Sequence, residues 1–99
     1  SRDTIFTVRH VATLKESIER LAQDKGDTVI LDLSLPDSSG LDTLLKLRAQ
    51  ASAVPIVVLT GLDDTSMAVK AVQLGAQDYL AKSRVDASLL IRAIHYAIE

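Results

Sequence analysis

The stretch TVILDLSLPDSSG, residues 28–40, decides how the chain is read. Thr28-Val29-Ile30-Leu31 is a continuous hydrophobic run rather than an alternating one, as expected of a strand whose two faces are both covered by helices. The run stops at Asp32. Pro36-Asp37-Ser38-Ser39-Gly40 then supplies turn chemistry, after which Leu41, Leu44, Leu45 and Leu47 to Arg48 mark an amphipathic helix. A strand that ends on a carboxylate and hands over to a helix is the first half of a strand-helix-strand unit.

The same alternation continues in both directions. Downstream, Pro55 opens Ile56-Val57-Val58-Leu59, a second doubly buried strand that ends at Thr60, with the proline tolerated where no ladder bond need be donated. Asp63 or Asp64 can cap a helix through Met67, Ala68, Ala71, Val72 and Leu74, closed by Gly75. Asp78-Tyr79-Leu80-Ala81 reads as a short strand ending at Lys82, and Asp86 caps a last helix through Leu89, Leu90, Ala93, Ile94 and Ala97. Upstream, Thr4 to Val11 is β-branched and aromatic and reads as a strand. Thr13-Leu14-Lys15-Glu16 has the form of a capping box for a helix that closes near residue 25, before Gly26. Four strands thus alternate with four helices, which predicts right-handed crossovers and a doubly wound parallel sheet.

Composition narrows the function. Ninety-nine residues, 47% of them apolar, make one core and not two. Eleven Lys and Arg against thirteen Asp and Glu give a formal charge of −2, no electrostatic footprint for a polyanion, so direct nucleic-acid binding is not expected. With no cysteine there is no disulfide framework, thiolate metal cluster or cysteine nucleophile. Apolar runs fall far short of the ~20 residues that span a bilayer and Ser1-Arg2-Asp3 resembles no signal peptide, so a soluble cytoplasmic chain away from membranes is expected. His10 and His95 lack partners at metal-ligand spacing, and the apolar helix faces, Met67 included, are expected to be core.

Asp32, Thr60 and Lys82 each terminate an apolar strand, one strand-helix-strand unit apart, so all three are expected on one edge of the sheet, where ligands of such folds collect. A carboxylate can act as nucleophile while a hydroxyl and an ammonium stabilise phosphoryl oxygens, and Gly61 lets a backbone N–H approach an anion without hindrance. Phosphoryl transfer is the chemistry that this set suits.

At these positions the chain resembles the receiver domain of two-component response regulators, a CheY-like family with a flavodoxin-like fold. LDLSLPDSSG matches the pattern around the phospho-accepting Asp, here Asp32, with Leu35, Pro36 and Gly40 at the family distances. VVLTG matches the strand bearing the switch hydroxyl, here Thr60. GAQDYLAKS matches the strand with the switch aromatic, Tyr79, and the lysine, Lys82. The resemblance implies that Asp32 attacks a phosphohistidine of a histidine kinase or phosphotransfer protein to form an acyl phosphate. Mg²⁺ would be held by Asp32 and the backbone carbonyl of Ser34, and Lys82 and Thr60 would each hold a phosphoryl oxygen. Thr60 and Tyr79 would then alter the surface of the last strand and its flanking helices, through which an output partner or a homodimer would form; Val69 could extend that dimer face. Ser34 and Leu62, each two residues beyond a site residue, would tune dephosphorylation.

Two departures from the family pattern carry expectations of their own. Thr4 to Val11 corresponds to the second family strand, so residues 1–99 are read as a receiver domain incomplete at the N-terminus, lacking the first strand and first helix and the acidic pair that helps hold Mg²⁺. The natural protein is expected to continue upstream of Ser1, and the strand bearing Asp32 to border an open slot. Ser83 stands where the family has a proline after the lysine, and a cis bond there would cost about 2.5–4 kcal/mol. Two other readings stay open from sequence: a receiver-like interaction module that never accepts phosphate, and an aspartate-nucleophile phosphohydrolase. The second lacks an acid at Ser34 to protonate a leaving group.

Overall fold

The computed structural model describes residues 6–24, 26–61 and 64–99. Helix α1 spans Leu14–Gln23, β1 Val29–Asp32, β2 Ser34–Leu35, β3 Ser38–Ser39, α2 Leu41–Gln50, β4 Ile56–Thr60, α3 Thr65–Gln73, β5 Asp78–Ala81 and α4 Ala87–Ile98. The main sheet has three strands in the order β1-β4-β5, all parallel, with Asp32 opposite Leu59 and Thr60 opposite Ala81. Strands β2 and β3 pair antiparallel in a small hairpin of their own.

The helices begin where their side chains can satisfy free backbone donors. Thr13, Asp64 and Asp86 are the N-caps of α1, α3 and α4, accepting from the N–H groups of Glu16, of Ser66 and Met67, and of Leu89 respectively. The capping box is half formed. The Glu16 carboxylate accepts from the Thr13 hydroxyl at 3.3 Å instead of from a backbone N–H. Helix α2 starts differently: Gly40 is its N-cap with φ 66° and ψ −159°, a conformation open in practice to glycine, and its N–H donates to the Leu33 carbonyl at 2.8 Å.

Packing divides the core by the two-residue period of the strands. One face of the sheet carries Leu31, Ile56 and Val58 against Leu14 of α1, Leu44 and Leu47 of α2 and Ala71 of α3. The other face carries Val57 and Leu80 against Ala93 and Ala97 of α4. Ile56, Val57 and Val58 are completely buried, so β4 is the doubly covered strand that its sequence announces. At the far pole from the carboxyl ends, the Arg48 guanidinium donates to the carbonyls of Ala51, Ser52, Val54 and Gly75, tying the α2–β4 connection to the turn before β5.

Four expectations are corrected. Phe6–Val11 carries no strand: residues 6–10 are exposed, with Val8 at 83%, and the segment lies instead with Phe6 6.0 Å from the His95 ring and Arg9 3.9 Å from Asp24. A β-prone segment becomes a strand only beside a partner that satisfies its N–H and C=O groups, and among the described residues β1 pairs with β4 alone. The rest of that predicted strand, with Asp3, lies outside the described residues. Second, β1 is covered on one face only. Ile30 is 37% exposed because α4 packs over β4 and β5 and stops short of β1. Third, residues 34–39 form a hairpin where the sequence marks only turn chemistry over 36–40. Helix α1 also ends at Gln23, two residues early.

Leu47→Ala is expected to lower unfolding free energy by about 2–5 kcal/mol in urea denaturation, as for a buried leucine that leaves a cavity. Ile30→Ala should cost less than half as much, and equal losses would contradict the one-sided burial of β1.

Candidate functional site

Parallel pairing sets the carboxyl ends of β1, β4 and β5 side by side, and the three residues read from sequence stand there. Asp32 is the last residue of β1, Thr60 the last of β4, and Lys82 follows β5 directly. The Lys82 N–H donates to the Thr60 carbonyl at 2.7 Å, which fixes the lysine backbone against β4. From there its side chain crosses the end of the central strand, and Nζ donates to Asp32 Oδ2 at 2.7 Å. Neighbouring strands are roughly 4.8 Å apart, so only a long side chain spans from β5 to β1.

The second carboxylate oxygen is also engaged. Asp32 Oδ1 accepts from the Ser34 N–H at 2.8 Å, a turn that folds the chain back over the strand end. Partial burial pushes the Asp32 carboxyl up, but the hydrogen bond and charge of Lys82 together with the Ser34 N–H outweigh it and hold the group below the usual carboxylate range. The carboxylate is thus ionised, aimed by two donors and still reachable: its side chain is 35% exposed and that of Lys82 49%.

The other predicted residues divide. Thr60 is 2% exposed, on the face of β4 shared with the buried Val58. Tyr79 is half-buried against the larger core cluster and, with Asp64, Thr65, Ala68, Arg84 and Leu89, borders a cleft of about 240 Å³ between α3, β5 and α4. Gly61 is exposed, and an added Cβ would meet nothing within 4 Å, so the chain itself imposes no need for glycine there. Ser34 opens β2 and is exposed. Leu62 and Asp63 lie outside the described residues. The peptide after Lys82 is trans, as are all those described; Arg84 and Val85 turn the chain by donating to the Ala81 carbonyl at 3.0 and 3.1 Å.

Sequence reading did not foresee what holds the loop after Asp32. Ser38 and Thr43 share a hydrogen bond between hydroxyls at 2.7 Å, with Thr43 completely buried, and the Asp37 carboxylate accepts from the N–H groups of Leu14 and Lys15. Their signal was the polar run Asp37-Ser38-Ser39, legible as a turn but not as a set of named partners.

The class is that of parallel α/β sheets with an ionised carboxylate and an ammonium joined across the carboxyl edge, where ligands of such folds collect. Within that class, the family model of the response regulator receiver domain matches residues 1–95, and the chain belongs to that family, the receivers of two-component systems. It is 39% identical over 72 residues, 73% of its length, to the regulatory protein LuxO of Vibrio cholerae, of which it spans 16%. Among solved structures it resembles the signal receiver domain of a protein described as a Luxo repressor from Vibrio parahaemolyticus (TM-score 0.84, 30% identity, 98% of this chain and 74% of that one). It also resembles a response regulator from Burkholderia pseudomallei solved with a phosphorylated aspartic acid, calcium ion and citrate (TM-score 0.76, 30% identity, 90% of this chain and 52% of that one).

Receivers typically take Mg²⁺, and the residues present can be weighed against it. Among the described residues no group of three or more His, Cys, Asp or Glu could hold a metal ion. The loop offers the Asp32 carboxylate and the Ser34 carbonyl, hard oxygens of the kind Mg²⁺ accepts when water and a phosphoryl oxygen complete its shell. The donor chemistry fits a partly hydrated ion rather than a caged one. Among the described residues no helix is long and apolar enough to cross a membrane.

Lys82→Ala should return the Asp32 carboxyl toward the ordinary range, seen as an upward shift in its carbon-13 NMR titration midpoint. Because the folded value is depressed, the pair's stabilisation is present above the ordinary carboxylate value of 3.8 and lost as pH falls through the lowered one. With both side chains partly exposed, removing the pair should cost less than about 1 kcal/mol of stability at neutral pH. An unmoved midpoint would contradict the geometry.

Proposed function

We propose that this chain accepts a phosphoryl group on Asp32 from a histidine kinase or phosphotransfer protein and relays that event by a change of surface. The observation that carries the reading is the carboxylate itself: ionised, part-exposed and held between the Lys82 ammonium and the Ser34 N–H. An Asp32 oxygen attacks phosphorus, the bond from phosphorus to the histidine nitrogen breaks, and its electron pair leaves with the imidazole. The product is an acyl phosphate. Mg²⁺, held by Asp32 and the Ser34 carbonyl, would offset repulsion between two anions. Lys82 turns from the carboxylate to a phosphoryl oxygen, and the Thr60 hydroxyl takes another. The neighbour from Burkholderia pseudomallei, solved with a phosphorylated aspartic acid, supports this assignment.

The modification adds roughly −1.5 to −2 charges at neutral pH. Drawing Thr60 toward the phosphoryl group opens room that Tyr79, beside the cleft between α3 and α4, can enter, so the reshaped surface is that of β5 and its flanking helices. Those helices carry exposed apolar residues suited to an output partner or a second copy: Val69 and Val72 on α3, Ile91 and Tyr96 on α4. Ser34 and Leu62 tune the lifetime of the acyl phosphate, and the setting is the cytoplasm. The role is regulatory, with any self-dephosphorylation confined to its own acyl phosphate.

Acetyl phosphate with Mg²⁺ should add one phosphoryl group to the intact mass, with Asp32→Asn abolishing the gain and EDTA suppressing it. Small phosphate esters should not be turned over. A folded chain whose mass never changes would instead be a phosphorylation-independent interaction module.

A further inference from the structure

The hairpin that follows Asp32 is anchored at both ends. At its root the Ser34 N–H donates to Asp32 and the Gly40 N–H closes onto the Leu33 carbonyl, and nearer the tip Ser38 is bonded to the buried Thr43. At its tip the Asp37 carboxylate reaches a different element: Oδ1 accepts from the Leu14 N–H at 2.9 Å and Oδ2 from the Lys15 N–H at 3.1 Å. Leu14 and Lys15 are the first two residues of α1, whose own cap, Thr13, serves the N–H of Glu16. A helix leaves its first donors without internal partners, and a carboxylate there also meets the positive end of the helix dipole. The hydrogen bonds from Leu14 and Lys15 hold the Asp37 carboxyl below the usual range, in keeping with a bound, ionised group.

Strands of two residues cannot fix their own pose, so the hairpin takes it from these anchors. The geometry points to Asp37 as a positioning residue that binds the phosphoacceptor loop to the start of α1 and so couples α1 to the state of Asp32. Coupling of this kind is reciprocal. Whatever repositions Ser34 when Asp32 is modified is felt at Leu14 and Lys15, and releasing the tip loosens the loop on which the reaction depends. The inference rests on Asp32 as phosphoacceptor.

The test is nitrogen-15 NMR of the full chain before and after acetyl phosphate with Mg²⁺, beside the phosphorylation rate of Asp37→Ala. The Leu14 and Lys15 amide signals are expected to shift on phosphorylation. The variant, with its circular dichroism retained, is expected to react about tenfold more slowly, the order of loss from a small misplacement of a reacting group. Unmoved Leu14 and Lys15 amides in the phosphorylated chain, or an unaltered rate in the folded variant, would overturn the coupling while leaving Asp32 as acceptor. If Asp37→Ala does not fold, the amide shifts of the unsubstituted chain decide alone. A chain that takes no phosphoryl group overturns both assignments together.

Discussion

The 2.7 Å contact between Lys82 and Asp32 is the constraint around which the rest of the molecule is arranged. It joins residues fifty positions apart, and it can form only if β1, β4 and β5 run parallel, in register, with their carboxyl ends level. The interaction itself contributes little to stability, because both groups keep much of their exposure and water screens them. Its importance is orientation. It keeps a carboxylate charged at the sheet edge and, in the proposed reaction, keeps the cation that would follow the phosphoryl group within reach before that group arrives.

The burial pattern shows how firmly that edge is supported. Strand β4 lies between two core clusters with Ile56, Val57 and Val58 removed from water, so Thr60 and the backbone that Lys82 binds are the rigid part of the site. Asp32 stands on the strand that is covered from one side only, and its loop is a short hairpin tied down by side chains. Asp32, the proposed nucleophile, is therefore the more yielding member of the pair. That asymmetry suits the proposed device, in which covalent modification of one carboxylate would be felt elsewhere, toward Tyr79 and the α3–α4 cleft on one side and through Asp37 to α1 on the other.

Much of this was legible in the sequence, and the parts that were not share a cause. Thr13, Asp64 and Asp86 could be read as caps because a cap and its helix are neighbours in the chain. Asp32, Thr60 and Lys82 could be placed together because each closes an apolar run, and strand ends in a parallel sheet share an edge. Thr4 to Val11 failed as a strand over Phe6–Val11 because β propensity needs a partner ladder, which no local pattern supplies. Ile30 looked buried on both faces because hydrophobic runs report the capacity for burial, and the reach of α4 decides whether it is met. Asp37 read as a turn residue and Arg48 as part of an amphipathic helix. Their partners, Leu14 and Lys15 for the one and Gly75 for the other, lie more than twenty residues away and follow from the three-dimensional arrangement alone.

Of thirteen acidic side chains, Asp32 alone is proposed as the nucleophile. Borohydride reduction of the phosphorylated chain converts an aspartyl phosphate to homoserine, and peptide mapping by tandem mass spectrometry then locates it. Homoserine is expected at position 32 alone; homoserine at any other aspartate, or a phosphoryl group that survives borohydride on a hydroxyl or a histidine, would rule Asp32 out as the single acceptor.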